Sequence, residues 1–394
     1  VLVAAQVGLA LVLMIGSGLM VRSFLTLRSV EPGFEDPERV LTLRAPVPTA
    51  EAEEPAEVGR IHERILREIE RIPGVTSVGM SSAVTMDGWD SNDPIFVEDA
   101  PLPEGQMAPL RRFKWISPGY FGTMGNPLLA GRDLTWADVH ERRDVVVVTR
   151  NFALEYWNDP GEAVGRRIRV SPEDPWREIV GVVGDVRDDG VDDDAVAVVF
   201  WPMVVRDFWG EETMTRRSMA YAIRSPRVGS ESLLDEVRSA VWSVNPRLPV
   251  AQVWTLDELL RQSMARTSFT LVMLAIAAAA ALLLGSVGIY GVTSYAVAQR
   301  NREIGVRMAL GAERGDVSRL VLRHGLMLAA VGVALGLAAA FGLTRLMAAV
   351  LYGVEPLDPV TFAVAGVGAA LLALMASWLP ARRAARLDPV EVLH

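Results

Sequence analysis

The sequence predicts an α+β membrane protein: four transmembrane helices, with a large extracytoplasmic α/β domain between the first and second. Three observations predict it. Val1 to Val21 is apolar apart from Gln6 and Ser17, and no acidic or basic residue other than His324 stands between Arg266 and Arg300, Arg323 and Arg345, or Asp358 and Arg382. Each run is long enough, at about 1.5 Å per residue, to cross roughly 30 Å of hydrocarbon. Between the first two runs lie patterned strands and helices, and the short loops that follow carry asymmetric charge. The composition agrees: 394 residues, 51% hydrophobic, net charge −9, mean hydropathy +0.26. That is too apolar for an ordinary soluble protein and too charged for a wholly embedded one.

The first span is assigned to 1–22. It is longer than the core of a secretory signal and lacks a basic lead-in or small-residue cleavage site. The chain begins at Val1 inside this run rather than at Met, as expected for a piece of a longer product. Residues 23–265 form the outer domain. Val40–Val47 reads as a strand. Val58, Ile61, Ile65, Ile69 and Ile72 then share one helical face, and PGVTSVGM returns as a strand. A second β-α-β unit follows the same plan: Ser218–Arg224, a helix carrying Leu234, Val237, Val241 and Val244, then LPVAQVWT. The two units at 36–86 and 206–265 predict one subdomain split by a mainly β insert at 87–205, where DVVVVT and EIVGVV read as strands punctuated by glycines. Thr255 and Glu258 in TLDELL form a capping-box pattern at the exit.

Residues 266–394 supply the second span (about 268–298), a basic loop (299–323), the third span (about 324–345), the fourth (about 359–380) and a tail (381–394). The loop and the tail, with Arg382, Arg383 and Arg386, are basic and so predicted cytoplasmic. The loop between the third and fourth spans carries Glu355 and Asp358 and is predicted outside, which places the large domain outside as well. Gly285, Gly288 and Gly291 in the second span, and Gly332, Gly336 and Ala340 in the third, are spaced for close helix packing. No Asp, Glu or Lys lies mid-span, which argues against an ion-coupled carrier.

Several chemistries are excluded. There is no cysteine, hence no disulfide or thiolate site. The histidines at 62, 140, 324 and 394 have no zinc spacing, and no GxSxG elbow occurs. The acidic run Asp185–Asp194 fits a calcium loop poorly, because Arg187 and Val196 fall where ligands are needed; it reads as a solvated hairpin tip. The only lysine, Lys114, is followed by Trp115, so no P-loop is present. No catalytic, cofactor or metal site is expected in this chain, and no nucleic acid.

In the loop QRNREIGVRMALGAERGDVSRLVLR, Ile304 and Met308 share a helical face flanked by Arg300 and Arg307, with Glu303 between them. Gly311 is placed to end that helix and Asp316 to cap the next. Composition alone leaves two readings open: an ordinary solvated loop, or a docking helix for a soluble partner. REIGVRMALGA at 302–312 resembles the signature of MacB/FtsX-type ABC transporter permeases. SPGYFGTMGNPLLAGRDL, IVGVVGDVRDDG and YGVEPLDP extend the resemblance over nearly the whole chain. It implies a bacterial inner-membrane permease subunit with a MacB-like periplasmic core domain and an FtsX-like membrane domain. In such a subunit Arg300, Glu303, Ile304, Arg307, Met308 and Gly311 would contact an ATP-binding partner that holds ATP and Mg. Transport or efflux would proceed by mechanotransmission, with a second permease half, membrane lipid and a periplasmic adaptor as further partners. The chain is most similar to the second copy of a duplicated permease. The alternatives are a membrane scaffold or receptor without energy input, and an FtsX-like activator of envelope hydrolases.

Overall fold

The computed structural model describes residues 2–89, 91–103, 105–299 and 314–384. The chain forms two compact units, Glu31–Met264 and the described residues of Val1–Val30 with Ala265–His394. Among the described residues, in chain order, the helices longer than seven residues are α1 (Leu2–Arg28), α2 (Pro55–Glu70), α3 (Glu231–Val244), α4 (Leu256–Ser263), α5 (Ala265–Gln299), α6 (Arg314–Leu346) and α7 (Pro359–Ala384).

In the first unit, the strand Val40–Pro46 sends Leu41, Leu43 and Ala45 into one core, while Val40, Thr42 and Arg44 face the other way, as the twofold period of a strand requires. It pairs antiparallel with Ser218–Arg224 on one side and with Ala251–Thr255 on the other, and Ser77–Ser81 pairs antiparallel with Ser218–Arg224. Each β-α-β unit therefore straddles a strand of the other, and neither sheet half can form alone. The Leu41 face packs against Ile61, Ile65 and Ile69 of α2 and Leu233, Val237 and Val241 of α3.

The same sheet continues through Leu110–Ile116, Val198–Pro202, Val145–Thr149, Arg177–Val183, Arg167–Arg169 and Phe96–Val97, in that spatial order, within one 12-stranded sheet. A single pairing, Ser81 with Ile116, joins Ser77–Ser81 to Leu110–Ile116. The insert is thus an extension of the sheet rather than a separate β layer. Val145 to Val148 are all buried, which is why DVVVVT reads as an unbroken apolar run.

The acidic run does not form a hairpin tip. Arg177–Val183 and Val198–Pro202, on either side of it, are separated in the sheet by Val145–Thr149. The connecting segment folds back over the sheet and buries Asp188.

His62 on α2 is fully buried, 2.7 Å from the Tyr221 hydroxyl through Nδ1 and 3.2 Å from the Arg217 carbonyl through Nε2. A carbonyl only accepts, so Nε2 carries the hydrogen and Nδ1 accepts from Tyr221. Burial pulls the imidazole down to about 4, against the hydrogen bonds that favour its charged form. The folded state therefore binds fewer protons than the unfolded one between about pH 4 and 6.5, and stability falls as pH drops through that window. The expected loss is on the order of 3 kcal/mol. It is measured by urea unfolding at pH 7 and pH 4.5 followed by tryptophan fluorescence, and His62→Gln should flatten this part of the pH dependence. Of the ten tryptophans only Trp378 lies outside the first unit, so the signal reports on that unit.

In the second unit, Ala4–Arg28, Ser268–Val292 and Pro359–Ala376 are long and apolar enough to cross a membrane; the apolar stretch Ala330–Leu346 of α6 is shorter. The first helix runs past 22 to Arg28, and the described part of α6, Arg314–Leu346, includes residues of the stretch expected as loop. Asp316 accordingly lies within α6 rather than ahead of it as a cap.

Candidate functional site

Two constructions merit description, each within one unit. The first is a charged cavity in Glu31–Met264. Arg112 and Lys114 alternate along one strand and so share a face, with Phe113 and Trp115 in the core behind them. Lys114 Nζ pairs with Asp188, and the two side chains are 3% and 4% exposed. Arg112 reaches Asp188 at 3.2 Å and both oxygens of Asp189. On the next part of the sheet Arg44 is clamped: Nε donates to Gln252 Oε1 at 2.9 Å, Nη1 to the Ser82 carbonyl at 2.9 Å, and Nη2 to Asp87 Oδ2 at 2.9 Å. Burial pulls the Arg44 guanidinium down and pushes the Asp87 carboxyl up. Both move toward neutrality, so the cost of leaving water exceeds what the pairing returns.

These groups wall a cavity of about 550 Å³ whose lining also includes Trp89, Trp254, Leu259 and Gln262. It lies within the usual range for small-molecule sites. Asp185–Asp194 thus has a structural role in this wall, which its composition did not reveal. The available signal was Lys114, a solitary lysine two residues from an arginine inside a strand pattern. No group of three metal-ligating side chains occurs among the described residues.

The second construction is the helix seam of the membrane-type unit. Gly332 and Gly336 on α6 lie against α1: a Cβ on Gly336 would stand 2.8 Å from the Gly8 carbonyl oxygen, and one on Gly332 would stand 2.7 Å from Val7 Cβ. Ala340 continues the seam beside Leu11 and Ile15, and Ala365 and Ala369 of α7 close the same cluster. On α5, Gly285 is buried, with the Gln6 carbonyl at 4.0 Å from its Cβ position; Gly288 is half-buried; Gly291 is exposed, with nothing within 4 Å among the described residues. One end of α1 is clamped to the α6–α7 connection. Arg22 pairs with Asp358, Ser23 Oγ accepts from the Tyr352 amide at 2.8 Å, and Asp358 caps α7 by accepting from Thr361 N at 2.7 Å and Thr361 Oγ1 at 2.6 Å. Arg300, Glu303, Ile304, Arg307, Met308 and Gly311 lie outside the described residues.

An α/β domain built of interlocked β-α-β units, joined to a bundle of long apolar helices packed on small residues, defines a membrane protein with one large folded domain. Residues 7–240 match the family described as MacB-like periplasmic core domain, and residues 275–389 match the FtsX-like permease C-terminal family. The chain belongs to the MacB/FtsX-type ABC transporter permeases.

Among curated relatives, it is 28% identical over 282 residues to the macrolide export ATP-binding/permease protein MacB of Chromobacterium violaceum, covering 71% of this chain and 42% of that one. It is 26% identical over 295 residues to the protein of that name in Escherichia coli K12, with the same coverages. The chain therefore spans less than half the length of these relatives. Among solved structures, the periplasmic region of MacB from Actinobacillus actinomycetemcomitans aligns with a TM-score of 0.38 at 13% identity, covering 60% of this chain and 97% of that one. The extracellular domain of the ABC-type transporter YknZ aligns at 0.32 and 12%, covering 54% and 100%.

Proposed function

We propose that the chain is the permease subunit of an ABC exporter, acting in a bacterial inner membrane with its large domain on the periplasmic side. Four spans cross the bilayer, with α6 as the third. ATP and Mg are held by a partner ATP-binding subunit. Closure of that subunit moves the loop between α5 and α6, and the helices pass the motion to the outer domain, which drives export or extraction of an envelope substrate. A second permease half, identical or the other copy of a duplicated chain, completes the assembly, and a periplasmic adaptor is a further partner. The reading is carried by the presence of both family segments in one chain, 7–240 and 275–389. It is supported by the absence of a P-loop around Lys114, which leaves hydrolysis to another polypeptide or region.

The coupling contact is assigned to Ile304 and Met308 as the docking face, Arg300, Glu303 and Arg307 as its charged border, and Gly311 as its stop. The test co-expresses the chain with its ATP-binding partner and measures ATPase stimulation in membranes. Ile304→Asp with Met308→Asp should reduce stimulation at least roughly tenfold, since burying two unpaired carboxylates in an interface costs several kcal/mol. Unchanged stimulation at normal expression would refute the assignment.

A further inference from the structure

The cavity beside Arg44 has two residues of its lining in the left-handed backbone region. Opposite Leu43 the edge strand Ala251–Thr255 is bulged: Thr42 faces Trp254 and Arg44 faces Ala251, so two residues, Gln252 and Val253, oppose one. Gln252 takes φ 50, the left-handed region that side chains avoid. At the bulge Gln252, exposed and in the cavity lining, accepts from Arg44 through its oxygen, and its amide nitrogen has no partner among the described residues. Met86, in the same lining, takes φ 67. Two such backbone outliers at one cavity mark a place where geometry is held against local preference.

The lining has two further properties. Every charged group in it is already engaged: Arg44 with Asp87, Arg112 with Asp188 and Asp189, and Asp188 also with Lys114 behind the wall. An anionic ligand would have to break one of these pairs, whereas a purely apolar one would strand the amides of Gln252 and Gln262. Moreover, two large indoles stay open, Trp89 at 48% and Trp254 at 44% exposure. Trp89 is held by the Arg44 guanidinium 4.3 Å over its ring. Neither indole N–H has a protein partner among the described residues. Open aromatic faces beside side-chain amides, with every charge already engaged, suit a ligand that has C–H faces and a rim of hydroxyls, each both donor and acceptor.

We infer that this cavity is a binding site for a neutral saccharide, with Trp89 and Trp254 as stacking platforms and Gln252, Gln262 and the outward lone pairs of Asp189 as hydroxyl partners. The inference goes beyond the exporter reading and does not depend on coupling to ATP.

The test uses the full chain in phospholipid nanodiscs, because the head group of a maltoside detergent would itself compete. Maltotriose and tri-N-acetylchitotriose are titrated and followed by tryptophan fluorescence and calorimetry. At least one should bind saturably. Trp254→Ala should weaken it roughly tenfold or more, Trp254→Phe should retain most of it, and Gln252→Ala should weaken it with an unchanged circular dichroism spectrum. Trp89→Ala gives an independent second platform variant should Trp254→Ala fold poorly. Failure of both trisaccharides to bind, binding indifferent to both platform variants, or tighter competitive binding of tetraphenylphosphonium would each overturn the proposal.

Discussion

Asp188→Ala is expected to lower the stability of the 31–264 unit by about 3–5 kcal/mol, the usual consequence of leaving a buried charge without its partner. Asp188 is shared by Lys114 and Arg112, and Lys114 has no other counter-ion within salt-bridge distance among the described residues. Removing the carboxylate leaves an ammonium 3% exposed in a wall of the sheet. Arg112 keeps Asp189, which is more exposed, so the loss concentrates on Lys114. Urea unfolding of the whole chain, read through the tryptophans, supplies the number. A double variant, Lys114→Met with Asp188→Leu, should recover most of the loss, because a well-packed apolar pair avoids the desolvation that the ion pair must offset. If the single variant unfolds like the parent, the pair is solvated and the cavity wall is not as described.

How much of this was legible in the sequence depends on the range of the interactions. The β-α-β units were readable because each is local: a period of 3.6 over Val58 to Ile69 against a period of 2 over Leu41 to Ala45, with the Thr255–Glu258 capping box closing within three residues. What escaped was long-range. Lys114 and Asp188 are 74 residues apart in sequence, and nothing in an acidic run distinguishes the one aspartate that turns inward. The bulge at Gln252 depends on where Thr42 and Arg44 fall across the strand pair, and register between segments some 208 residues apart is invisible to composition. Asp316 was misread for a different reason: an aspartate just after a glycine looks like a cap ahead of a helix. Both Gly315 and Asp316 instead lie within α6. Gly332 and Gly336 announced a seam by their spacing, but not its partner. Ala4 and Gly8, a second small pair spaced by four, supply it.

Gly336→Leu should have the largest effect in the membrane-type unit. The atoms it would meet are the Gly8 carbonyl oxygen at 2.8 Å, Gly8 Cα at 2.9 Å and Leu11 Cβ at 3.1 Å. Two of these three are backbone, so no rotamer change can make room and α1 must move away from α6. Overpacking of this kind costs about 1–3 kcal/mol where neighbours can adjust, and more is expected here because α1 also carries Leu11, Ile15 and Leu19 into the cluster shared with α7. The thermal midpoint of the chain in nanodiscs should therefore fall by several degrees, on the scale of about 2–4 °C per kcal/mol for a domain of this size. Gly291→Leu is the matched control: the same substitution on α5, at a glycine whose side meets nothing within 4 Å among the described residues, should leave the midpoint unchanged if lipid covers that face. A drop at Gly291 as large as at Gly336 would instead mean that a second protein surface packs there. The pair of substitutions thereby separates the seam within one chain from contacts made on assembly.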